Sequence, residues 1–138
     1  MRWIIFIGLI AFFSCKKDLA STTPVMDNID TTTADIKYDG SFMNGPFGSV
    51  SGMVKIYTED QQYSLALINV VISNGPDLHV YLSKEEQPGQ FIDLGKLKST
   101  TGNQVYSITG TPDFSEYKYV LIHCQKYNHL FGAARIAQ

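Results

Sequence analysis

The residue of this 138-residue chain best equipped for chemistry is Cys124, in the stretch Val120–Ala134, "VLIHCQKYNHLFGAA", with His123 beside it and His129 five residues on. Three roles are open to it. On a strand, Val120, Ile122 and Cys124 share one face while Leu121 and His123 share the other. Two β-branched neighbours suit a core-facing thiol, small, apolar and inert. A redox role needs the thiolate, hence a nearby positive charge and solvent access; Lys126 shares the cysteine's face if the strand continues. There is no Cys-x-x-Cys, so any disulfide formed by Cys124 involves an external thiol. A ligand role asks Cys124 to hold a metal, with His129 as second ligand if the turn after Gln125 brings it back. Two such ligands fall short of the four a structural zinc site takes.

A second pairing is Asp77 with His79, two residues apart and able to project from one face of a strand as a metal or acid–base pair. The plainer expectation is that Asp77 bonds its own turn backbone after Gly75-Pro76 and that His79 lies at the surface. Asp93, before Leu94-Gly95, carries the same turn reading, and Glu85-Glu86 reads as a solvated loop. No phosphate loop, zinc-protease helix, nucleophile elbow or nucleotide fingerprint is present, so no catalytic constellation stands out.

The other cysteine, Cys15, sits in a targeting segment. Arg2 precedes the unbroken apolar run Trp3–Phe13, "WIIFIGLIAFF". Eleven helical residues span roughly half of a ~30 Å hydrocarbon core, which suits a signal peptide and not a membrane span. "FFSCKKD" then resembles the lipobox of bacterial lipoproteins, with cleavage before Cys15 and acylation of its thiol. The Lys-Lys-Asp that follows is similar to the start of Bacteroidetes lipoproteins and implies an outer-membrane anchor, on its periplasmic or surface face. The alternative is ordinary secretory cleavage that leaves Cys15 free. If Cys15 carries lipid, Cys124 has no partner in the chain. Removing Arg2 leaves ten basic against thirteen acidic residues, a net charge of −3. A mildly acidic domain outside the cytoplasm, with no basic patch, does not suit nucleic-acid binding.

These residues need elements to position them. Residues 15–37 are rich in Thr, Ser and Asp and lack periodicity; they read as the acylated cysteine and a flexible tether of roughly 25 Å reach, the alternative being a short strand packing Val25 and Ile29. Residues 38–138 suffice for one domain with one core. Short apolar runs between turn signals argue an all-β fold, an antiparallel sandwich or barrel. Val50, Val54 and Ile56 alternate with polar residues, and "TEDQQ" turns the chain. "YSLALINVVI" is apolar on both faces, with a change of phase near Ile68 and Asn69 that marks a bulge. Further strands are expected at "LHVYLS", "FIDLGKL", "QVYSI", "YKYVLIHC" and "LFGAARI". "NGP" at Asn44 and again at Asn74 reads as turn chemistry and not as a repeat.

In this order, "GSFMNGPFGSVSGMVKIY" (Gly40–Tyr57), "NGPDLHVYLS" (Asn74–Ser83), "IDLGKLKSTTGNQVYSI" (Ile92–Ile108) and "YKYVLIHCQKYNHLFGAARI" (Tyr117–Ile136) closely resemble the DM-thirteen domain, often called the electron transfer DM-thirteen domain. The resemblance rests above all on Gly75, Pro76, Asp77 and Leu78 and on the cysteine strand followed by Leu130-Phe131-Gly132-Ala133. It implies an electron-transfer or redox accessory module in which Cys124 is a redox thiol or helps hold a prosthetic group such as haem. The absence of Cys-x-x-Cys-His excludes covalent c-type haem. The partners implied are the membrane, through Cys15, and a redox or envelope protein. The rival expectation, from another class, is a non-catalytic binding module of the cell envelope with a structural core cysteine.

Overall fold

The structure, a computed structural model, describes residues 18–138; the signal segment 1–14 and Cys15 lie outside the described residues. These residues form nine strands: β1 (Val25–Met26), β2 (Asp35–Asn44), β3 (Val50–Glu59), β4 (Gln62–Ile72), β5 (Leu78–Ser83), β6 (Phe91–Lys96), β7 (Thr101–Ile108), β8 (Tyr119–Cys124) and β9 (His129–Arg135). They make one curled sheet in the order β1-β7-β4-β3-β2-β9-β8-β5-β6, all antiparallel except β1 beside β7. The fold is all-β, a half-barrel.

The hinge of the curl is β2. Its first part, Asp35–Ser41, pairs with β3, and its last part, Phe42–Asn44, with β9. The inward residues of both halves meet in one core that includes Val54, Ile56, Leu65, Leu67, Val80, Leu82, Val120 and Ile122. These are β-branched or leucyl side chains at alternate positions, as a pleated strand with one buried face requires. The bulge expected near Ile68 and Asn69 is present: pairing with β7 shifts between Leu67 and Val70, and Asn69 adopts φ 49°.

The segment expected as a tether is, from Asp18 onward, laid along the sheet. Leu19 bridges Pro76, Ser21 bridges Ser99, and β1 pairs with Gly102 and Asn103 of β7. Ile29 packs against the outer cluster of Ala34, Tyr57 and Ala66. Backbone and side-chain hydrogen bonds hold this segment, with Ser99 Oγ donating to the Thr23 carbonyl at 2.6 Å. Such bonds leave no hydrophobic period in a Thr- and Asp-rich sequence.

Candidate functional site

Four stretches gather at one end of the half-barrel: the β2–β3 loop, the β4–β5 turn, the β8–β9 turn and the first described residues. Asp77 N–H donates to the Asp18 carbonyl at 2.8 Å, and Gln125 N–H donates to the Asp77 carbonyl at 3.0 Å. Gly45 N–H donates to the Phe131 carbonyl at 2.7 Å, and Phe47 N–H to the Leu130 carbonyl at 3.2 Å. Both "NGP" turns therefore frame β9. A side chain at Gly48 or Gly75 would collide with the Phe131 ring, so the two loops approach that ring only as glycine.

Cys124 closes β8 beneath this end. Its face is the one expected: it lies in the core with Val120 and Ile122 and is 1% exposed. Opposite it on β9 is His129, so the turn does bring the histidine back in register. The His129 ring, however, stacks on Phe47 with centroids 3.7 Å apart and planes 2° from parallel. Lys126 does not share the cysteine's face. The strand stops at Cys124, and Lys126 stands in the exposed turn with Nζ 5.5 Å from the Tyr127 ring. No cation is thus set beside the thiol by its own strand.

A prosthetic group at Cys124 can be tested against this packing. Among the described residues no three His, Cys, Asp or Glu side chains converge as a metal site. A cavity of about 690 Å³ is bounded by Tyr38, Phe114, Lys118, Arg135 and Ile136, and neither it nor three other cavities among the described residues border Cys124. A sulfur 1% exposed and packed among core side chains such as Val120 and Ile122 does not fit haem ligation.

The outer face of the same strands carries a polar and aromatic constellation that the sequence signalled only in part. His79 pairs with His123 across β5 and β8, and Tyr81 lies between Asp93 of β6 and Leu121 of β8. His79 is buried, not superficial. Its Nε2 is 3.0 Å from Asp77 Oδ1, and its Nδ1 is 2.9 Å from Asp93 Oδ2. The two carboxylates hold the ring from both of its nitrogens. Asp77 thus spends its carboxylate on His79, with Lys96 3.8 Å away, and not on its own turn. Asp93 does both, since its Oδ1 also accepts the Gly95 N–H at 2.9 Å, the turn bond expected of it.

Tyr81, which no motif singled out, stacks on Phe91 at 4.2 Å, and its hydroxyl accepts from Gln125 Nε2 at 3.1 Å. Burial raises its pKa, Gln125 opposes this, and the Asp93 and Asp77 carboxylates add to the rise. His123 donates from Nε2 to Asn128 Oδ1 at 2.9 Å, while its buried Nδ1 has no partner. Burial lowers its pKa; the bond to Asn128 acts the other way, and His129 and His79 push it further down. A neutral His123 therefore sits between the chain's other two histidines. The arrangement offers one sheltered thiol on the inner face and a buried imidazole–carboxylate–phenol row on the outer face.

No curated protein and no solved structure matches the chain. Residues 42–136 match the family described as "Electron transfer DM13", a span that takes in both glycine loops, the Asp77–His79 pair and the whole cysteine hairpin. The chain belongs to the Electron transfer DM13 family.

Proposed function

We propose that this protein is an electron-transfer accessory module of the bacterial cell envelope, anchored by lipid on Cys15 and acting through Cys124. The family match supports the redox part, the run Trp3–Phe13 before Ser14-Cys15 supports the anchor, and the Lys16-Lys17-Asp18 that follows supports an outer-membrane location. The observation that carries the reading is the placement of Cys124. With Cys15 acylated it is the single free thiol, and it lies one residue below the exposed β8–β9 turn, within the span that matches the family.

The chemistry open to such a thiol is exchange with a disulfide on a partner protein. Cys124 loses its proton to solvent, its sulfur bonds one partner sulfur, and the other partner sulfur leaves as a thiolate carrying the electron pair. A thiol of a third molecule then attacks the partner's sulfur in the mixed disulfide, forms a new disulfide with it and expels Cys124 as the thiolate, so that thiol supplies the electron pair the first partner gained. At 1% exposure the thiol reacts only after a local opening, and we assign that opening to the Phe47 ring, stacked on the His129 that pairs with Cys124.

The test is titration of the full-length protein in detergent with a chromogenic disulfide reagent, native and then in guanidinium. Slow native reaction, accelerated by Phe47→Ala without loss of stability, is expected. Reaction only on global unfolding, in both proteins, would refute the exchange reading. Burial favours one rival in that event, a non-catalytic envelope-binding module whose Cys124 is plain core.

A further inference from the structure

We propose that the end of the half-barrel built by the two "NGP" loops and the β8–β9 turn lies against the lipid bilayer, with Phe47 and Tyr127 seated in its interfacial layer. The inference rests on acylation at Cys15. Only Lys16 and Lys17 separate Cys15 from Asp18, and three residue steps span at most about 11 Å. Asp18 is not free to swing. Its carbonyl accepts from Asp77 N–H, Lys96 Nζ lies 3.2 Å from its carboxylate, and Ala20 exchanges two hydrogen bonds with the Asn74 side chain. The acyl chains therefore leave the domain beside Asn74–Asp77, and this end cannot stand more than a short distance from the membrane that holds them.

What this end exposes matches that neighbour. Leu19 is 47% exposed, Phe47 54% and Tyr127 55%, on three different stretches gathered around one rim. One face of Phe47 is covered by His129 and the rest of the ring is open. Rings and a leucine held on turns, with no core to bury them, lose water contact favourably in the headgroup region, where tyrosine in particular is enriched. Lys126, beside the Tyr127 ring, and the Lys16-Lys17 pair supply cations toward anionic headgroups. Cys124 then lies on the membrane side of the domain.

The mature chain contains no tryptophan, because Trp3 is the only one and precedes Cys15, so single reporters are available. Phe47→Trp, Tyr127→Trp and, at the exposed far end, Thr111→Trp would be prepared in the full acylated protein. Each would be reconstituted in phosphatidylethanolamine–phosphatidylglycerol vesicles carrying lipids brominated near the headgroup. Expected are a blue shift and at least about twofold stronger quenching for the Phe47 and Tyr127 reporters than for the Thr111 reporter. Equal, solvent-like emission from all three in vesicle-bound protein would overturn the inference and leave the anchor standing. Mass spectrometry showing no acyl group on Cys15 would overturn both. A blue shift that appears without vesicles and grows with protein concentration would show a second copy covering the rim, and would also overturn the inference.

Discussion

Replacing Cys124 by alanine and by serine separates a sealed apolar site from a wet one. In a Cys15→Ala background the protein carries no acyl group, and every difference between the two variants comes from one buried position. Val120 and Ile122 share the thiol's face at 0% exposure, and among the described residues no hydrogen bond reaches the sulfur. Cys124→Ala removes one buried heavy atom of methylene-like size and leaves a small void, at a cost of about 1 kcal/mol. Cys124→Ser keeps the shape but buries a hydroxyl with no partner, a cost of about 1–3 kcal/mol on the scale of protein mutations, in addition to weaker packing. Serine should therefore be the worse of the two by about 1 kcal/mol or more, although it is the closer isostere. For a domain of this size that is a difference in Tm of roughly 4 °C. Thermal and urea unfolding, followed by circular dichroism, would measure it. Equal stability, or serine the milder change, would mean that the hydroxyl finds water or a partner. The sheltered-thiol argument, and with it the need for the Phe47–His129 stack to open, would then be wrong.

Other positions give independent checks. Because burial holds the His123 pKa below its ordinary 6.5, the unfolded chain binds a proton that the folded ring refuses, so stability is full above about pH 6.5 and falls as the pH drops toward the lowered folded value; His123→Gln should flatten that slope in urea titrations, and an unchanged slope would exclude this histidine as its source. His79→Phe leaves Asp77 and Asp93 without their shared donor and should cost about 1.5–3 kcal/mol in chemical denaturation; a neutral result would mean the bridge is not held in solution. Gly102 adopts φ 101° against the backbone of Val25, so Gly102→Ala should displace β1 and speed amide exchange at Asp27, whose N–H donates to the Asn103 carbonyl. Lys98→Met removes the Nζ that holds Asp27 and should have the weaker effect of an exposed ion pair, about 0–1 kcal/mol; protection at Asp27 that survives both changes would refute the account of the segment Asp18–Ala34 as a strap pinned along β7.

Legibility in the sequence followed the amount of apolar burial. β3, β4, β5 and β8 each present a run of β-branched or leucyl side chains to one core, to which β9 adds Phe131 and Ala134, and their alternation or continuity could be read directly. The bulge at Asn69 showed as a change of phase for the same reason. β2 did not show. Its residues are mostly exposed, and only Phe42 is fully buried, because this strand serves as the hinge between two halves and not as a floor to the core. The strap from Asp18 to Ala34 was hidden because carbonyls, hydroxyls and one lysine hold it, and polar pairing has no period. At the site, the thiol's face and its register with His129 followed from spacing, whereas the stack that occupies His129 comes from Phe47, more than eighty residues earlier. The Asp77–His79–Asp93 bridge needed β6 laid beside β5, a pairing that no local pattern of charges announces.

The two sides of β8 are tied together by one irregularity. Pairing between β8 and β9 shifts after Ile122, so that Ile122 faces Gly132 and His123 faces Leu130, leaving Phe131 as the extra residue. The inserted Phe131 points into the core, and its ring fills the space that Gly48 and Gly75 leave open. Without the shift, Cys124 would face Leu130 and His123 would face Phe131, which would turn the ring outward and leave the barrel's end unplugged. The same shift sets Leu130 opposite His123, which the regular β5–β8 ladder already holds beside His79, and brings His129 opposite Cys124. Phe131, the two glycine loops and the cysteine hairpin thus form one packing unit. A change to any of them is expected to alter thiol access and the outer imidazole row together, whereas changes to β1 or to the far β3–β4 turn should alter neither. Thiol titration and the pH slope of stability, measured on a Phe131→Leu variant, should therefore shift in concert; movement of one without the other would show that the two faces are independent.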